Sequence, residues 1–260
     1  MLRFVELQRP HPLWLCAFFL LLIPFAAPLL NALRLLDSGI CAQLPTHLLA
    51  PGGVTLPLCA RNTGIYSGAA LAFGILRARG RQRAMLPPSP LVIAVLLALI
   101  AIMALDGFNS VATDLALPHL YAPTNTFRLA TGLGAGFALA LLLAPVIARA
   151  RFGMQDRRPP VASVVELLPF GVAAALAFLF IHTVAPWTLY PVALLSNAGL
   201  LAVLVGVNRV AFSAFAGLTG TAATSGVRLA LPTLVPVCVA ELALLAGMKL
   251  LLLGPAPLAM

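Results

Sequence analysis

Residues 91–105 read LVIAVLLALIAIMAL, and the run stops at DGFNS, residues 106–110. The apolar residues are continuous rather than alternating. A strand of a membrane barrel would alternate with a period of two, so this run predicts a helix. Six more apolar stretches flank it, at about Pro12–Leu33, Val54–Leu76, Leu129–Ala148, Val161–Val184, Pro191–Phe212 and Val227–Leu253. A bilayer crossing takes roughly 20 residues. The first stretch is too long, and too poor in small residues at a cleavage point, for a simple signal peptide.

Composition leads to the same class. The 260 residues are 62% hydrophobic and only 9% charged. A soluble domain would carry about a quarter charged residues. Lipid offers the backbone no hydrogen bonds, so each segment must satisfy its own. The expected fold is all-α, a polytopic membrane helix bundle of about seven transmembrane helices. Residues 1–260 form one transmembrane domain, with no linker long enough to hold a soluble one.

Charge gives an orientation. The formal net charge is +9, which in a soluble chain would suggest nucleic acid. Here the arginines fall in short loops between spans, so no nucleic-acid partner is expected and the bilayer is the partner. Arg77, Arg79, Arg81 and Arg83 separate the second and third spans, and Arg149, Arg151, Arg157 and Arg158 the fourth and fifth. Two spans lie between the loops, so both face one side, which the positive-inside bias makes the cytoplasm of an inner membrane. Arg3, Arg9 and Arg228 agree. The N-terminus is then cytoplasmic and the C-terminus outside.

This topology gathers polar residues at the outer end. Arg61 lies 16 residues before Arg77, ~24 Å along a helix. It reaches the outer interface at the level of Asp106 and Arg128. Two readings stay open: an ion pair that locks helix ends, or a pair of arginine forks for phosphate or carboxylate. Asn62, Tyr66, Asn109 and Asn125 complete the ligand candidates.

Cys41 and Cys59 share one outer segment with His47. A disulfide closing that loop is expected ahead of separate packing thiols. The three residues could also hold zinc or copper, but no tight Cys-x-x-Cys spacing is present, and the balance falls against a metal. Deeper in the spans, Glu166, Arg209 and Glu241 are the intramembrane charge candidates, suited to a proton or cation path or to pairing between helices. Gly64 with Gly68, and the TGLGAG run ending at Gly136, mark close helix-packing faces rather than a nucleotide loop. Gly217–Gly226 reads as a cytoplasmic loop or a broken helix end.

Two blocks resemble a known family. Ile40-Cys-Ala-Gln-Leu-Pro-Thr-His47 and Leu58-Cys-Ala-Arg-Asn-Thr-Gly-Ile-Tyr-Ser-Gly68 resemble the motifs of the DUF2085 family of prokaryotic membrane proteins, a domain of unknown function. Asp106-Gly107, Thr124-Asn125, Arg128 and Thr131-Gly132 resemble its second block. The resemblance spans about residues 36–145. Where the family pattern has a histidine and a second cysteine, this chain has Ala42 and Asn62. Were that pattern a four-ligand metal or redox site, two ligands are missing here. The charged residues of the second block are intact. No activity comes with the resemblance. An enzyme at the outer interface, a transporter and a non-catalytic accessory protein all remain in play.

Overall fold

The computed structural model describes residues 27–152, 156–215 and 231–254. Among these residues the fold is all-helical, with one isolated antiparallel bridge, Leu48 to Cys59, and no strand. Seven helices follow in order: α1 (residues 27–37), α2 (Ala60–Ala78), α3 (Pro90–Asp114), α4 (Asn125–Phe152), α5 (Leu168–His182), α6 (Leu189–Phe215) and α7 (Leu231–Leu253).

Five helical segments are long and apolar enough to cross a membrane: Pro90–Asp114, Asn125–Phe152, Val164–His182, Pro186–Phe215 and Pro232–Leu252. The expected first span and the Gly217–Gly226 segment lie wholly or mostly outside the described residues. α2 is shorter and more polar than the expected second span, because its surroundings are protein. It packs along α4 and α6. It buries Ala60, Thr63, Gly64, Ser67, Gly68, Ala69 and Ala72, a row of small side chains.

Glycine is what allows α2 and α4 to approach so closely. A Cβ on Gly64 would lie 2.6 Å from the Leu129 carbonyl oxygen, and one on Gly68 2.6 Å from that of Leu133. From the other side, a Cβ on Gly132 would collide with the Arg61 carbonyl, and one on Gly136 with that of Ile65. Gly199 of α6 meets the Tyr66 carbonyl in the same way. The expected packing faces are therefore two halves of one interface. Membrane helices lose little apolar area to water when they separate, so such close packing carries much of their association.

α3 runs on to Asp114, well past the expected end at Leu105. Asp106, Asn109 and Ser110 are buried along its inner face, so the helix continues through polar residues shielded from lipid.

The two arginine loops meet at one end of the bundle. Arg81 Nη1 donates to the Pro159 carbonyl at 2.9 Å, Arg149 Nε to that of Met85 at 2.9 Å, and the Met85 N–H to that of Arg158 at 2.9 Å. At the opposite end Lys249 Nζ of α7 donates to the Cys41 carbonyl at 3.0 Å. The Cys41–Cys59 segment, the start of α2 and the ends of α3 and α7 therefore share that end.

Candidate functional site

Arg61 enters the site in the first turn of α2, its backbone pressed on Gly132. Nη2 donates to Asp106 Oδ2 at 2.6 Å and to the Asp106 carbonyl at 3.2 Å. The Asp106 side chain is 2% exposed. Its other oxygen accepts the Tyr121 hydroxyl at 2.7 Å. Of the two readings for this arginine, the ion pair is the one that forms. Tyr121, from the loop between α3 and α4, closes the carboxylate. Asn109 holds the loop that delivers it: Nδ2 donates to the Tyr121 carbonyl at 2.8 Å, and Oδ1 accepts the Leu120 N–H at 2.7 Å.

Arg128 is held differently. It lies in the first turn of α4 and is 4% exposed. Nε donates to Ser110 Oγ at 3.0 Å and Nη1 to Asn125 Oδ1 at 2.9 Å. Asn125 in turn donates to the Leu48 carbonyl at 3.1 Å. Both acceptors of Arg128 are neutral, and it forms no ion pair among the described residues. The nearby acid, Asp114, is taken by His47, Nε2 to Oδ1 at 3.2 Å. Burial, with Arg128 beside it, holds the His47 imidazole below its ordinary value and so favours the neutral ring.

The ligand candidates divide between two faces of α2. Arg61, Asp106, Asn109, Asn125 and Arg128 come together. Asn62 and Tyr66, one turn apart, face the cysteines instead: Asn62 lies beside Cys41, and Tyr66 lies near Asp37, Cys41 and Cys59.

The cysteine segment differs from expectation. Cys41 and Cys59 are free thiols, with the Cys59 N–H donating to Cys41 Sγ at 3.3 Å. His47 does not join them, because Asp114 holds it. Among the described residues no three His, Cys, Asp or Glu side chains gather as a metal would need, so the Cys41, His47 and Cys59 metal set does not assemble. Sequence reasoning also missed the partner of Asp37. That residue is fully buried, and its Oδ2 accepts Asn197 Nδ2 at 3.2 Å. The two lie 160 residues apart, and no local pattern links them.

The intramembrane charges do not converge. Glu166 lies in a short turn before α5, accepts the Ala162 N–H at 3.1 Å and lies 3.9 Å from Arg81 Nη2 of the arginine loop. Glu241 accepts Asn208 Nδ2 at 2.7 Å. Arg209 is buried and forms no ion pair among the described residues.

The comparisons agree with this picture of a membrane bundle. Residues 41–142 match the family model of DUF2085, described as a predicted membrane protein. That segment holds both of these cysteines and the whole arginine site. No curated protein and no solved structure matches the chain.

Proposed function

We propose that this chain is a single membrane domain of the cytoplasmic membrane whose polar end faces outward and binds a small anion or a lipid-linked phosphate at Arg128. The carrying observation is the contrast between two neighbouring arginines. Arg61 is neutralised by Asp106, whereas Arg128, more deeply enclosed, hydrogen-bonds only Ser110 and Asn125. Asp114 and Asp106 act on Arg128 only from a distance; a buried cation with no carboxylate in contact costs several kcal/mol by order of magnitude, and a bound anion lowers that cost.

Helix polarity supports the same reading. Arg61 and Arg128 each occupy the first turn of a helix, α2 and α4, where the backbone already presents partial positive charge. Arginine there works against helix stability. An anion between the two N-termini would be held by their free N–H groups as well as by the guanidinium. Nε and Nη1 of Arg128 are engaged inside the protein, which leaves Nη2 for the ligand. The arginine loops at the far end favour the cytoplasm, which sets the site outside.

The test is calorimetric titration of the detergent-purified full chain with inorganic phosphate and, separately, with a polyprenyl monophosphate. The reading expects saturable binding of at least one, lost in Arg128→Gln. Binding of the lipid alone identifies a lipid-linked ligand; binding of both identifies the phosphate group itself. If neither binds the wild type, the cluster is structural and the reading fails.

A further inference from the structure

The other face of α2 carries a second cluster, made of residues other than those of the arginine site. Cys41, Cys59, Asp37, Asn62 and Tyr66 meet there, at the junction of α1, α2 and the loop between them. The Cys59 N–H donates to Cys41 Sγ at 3.3 Å, which sets the two cysteines side by side.

The loop that joins the cysteines is fixed without a covalent bond. Gln43 Nε2 donates to the carbonyls of Arg34, at 2.8 Å, and Pro57, at 2.7 Å. Lys249 of α7 holds the Cys41 carbonyl, and Leu48 bridges Cys59. The sulfurs stay close whether or not they are bonded to each other. Cys41 is buried and Cys59 half-buried, so Cys59 is the less enclosed residue of the pair.

Asp37 lies one turn before Cys41, whose N–H donates to the Asp37 carbonyl at 3.0 Å. The Asp37 side chain is fully enclosed, and its Oδ1 has no partner. An enclosed carboxylate with a bare oxygen is a ready proton acceptor.

We propose that Cys41 and Cys59 are a reversible dithiol–disulfide centre that exchanges with an external disulfide, with Asp37 as its proton acceptor. One of the two thiol protons is lost to solvent, and the paired sulfurs share the other. When it moves onto Cys41, the Cys59 thiolate attacks a sulfur of the external disulfide. A Cys59 mixed disulfide forms and one thiolate leaves. Asp37 then takes the Cys41 proton, and the Cys41 thiolate attacks the Cys59 sulfur. The Cys41–Cys59 bond forms and the second thiolate leaves. Two thiols are oxidised, one external disulfide is reduced to two thiols, and the reverse sequence restores the pair.

The surroundings fit this chemistry. Hydrogen bonding from the Cys59 thiol, outweighing burial, lowers Cys41 to about 6, and the same pairing raises Cys59, so the shared proton rests mainly on Cys59 and must cross to Cys41 before the attack. Burial raises Asp37, shortly beyond the expected end of the first span, to about 7. The groups that act on the pair are Asp37 of α1, Asn62, Tyr66 and Arg61 of α2, and Arg128 of α4; Lys249 of α7 holds the backbone beside it.

The experiment equilibrates the full chain in detergent with mixtures of reduced and oxidised glutathione, quenches with acid, alkylates the free thiols and maps them by peptide mass spectrometry. The expected result is a Cys41–Cys59 bond that appears and disappears with the glutathione ratio while Cys238 remains a thiol. Cys41→Ser should trap a glutathione adduct on Cys59. The resolving step should quicken as pH rises through the Asp37 titration near 7, and Asp37→Asn should flatten that rise and let the mixed disulfide accumulate. A bond that oxidised glutathione does not form, or that opens only after denaturation, overturns the redox centre. An Asp37→Asn profile identical to wild type overturns the acceptor role.

Discussion

Arg61 Nη2 lies 2.6 Å from Asp106 Oδ2, tying the first turn of α2 to the C-terminal half of α3 across 45 residues. The cation opposes the dipole at the N-terminus of its own helix. The pair therefore relieves that placement and gives the buried Asp106 a counter-charge.

Asp106→Asn should destabilise the protein by about 3 kcal/mol, because it leaves Arg61 enclosed without a counter-ion. The paired change Arg61→Met with Asp106→Leu should recover most of that loss, since no charge then remains to be solvated. Unfolding in mixed micelles measures both. Equal losses in the single and paired variants would show that the pair itself is not the stabilising element.

Gly132→Ala and Gly136→Ala should each cost about 1–3 kcal/mol or more, because the new methyl meets the Arg61 or Ile65 carbonyl across a backbone-to-backbone contact. Gly74→Ala in α2 meets nothing within 4 Å and should be neutral or stabilising by about 0.5–1 kcal/mol. The same unfolding assay reads all three. Similar outcomes for Gly74 and Gly136 would contradict the α2–α4 interface.

His47 sets an acid-side dependence. Its ring is held below the ordinary value of 6.5, mainly by burial and then by Arg128. The fold thus favours the neutral ring. Its contribution is present above pH 6.5 and is lost as pH falls through and below that value. His47→Gln should lose less stability than wild type on acidification across that window. Parallel stability curves for the two proteins would sink this account.

A cysteine introduced at Gln82, in the first arginine loop, should be protected from a membrane-impermeant maleimide in intact cells, and one at Pro118 should react. The proteins carrying them would lack the native cysteines. The reverse pattern would invert the topology and with it the proposed outward site.

Much of the bundle was legible because lipid imposes a simple rule: long apolar runs become helices. The rule misplaced the ends of α2 and α3, where protein rather than lipid surrounds the helix and polar residues such as Asn109 and Ser110 continue it. The depth of Arg61 below the interface was enough to suggest Asp106 as a partner for Arg61 or Arg128, without choosing between them. It could not reveal that Tyr121 caps that carboxylate, because a loop delivers the hydroxyl. Helical periodicity does put Asn62 and Tyr66 on one face and Arg61 on another, yet which face met α4 depended on the glycines. The Asp37–Asn197 contact is purely tertiary and left no trace in spacing.

The account turns on whether Arg128 holds an anion. The most direct measurement is a crystal structure of the full chain with tungstate, located by its anomalous signal. The account predicts tungstate within hydrogen-bonding distance of the Arg128 guanidinium at the N-terminal end of α4. Tungstate found only on the arginine loops at the other end, with none beside Arg128, would contradict it.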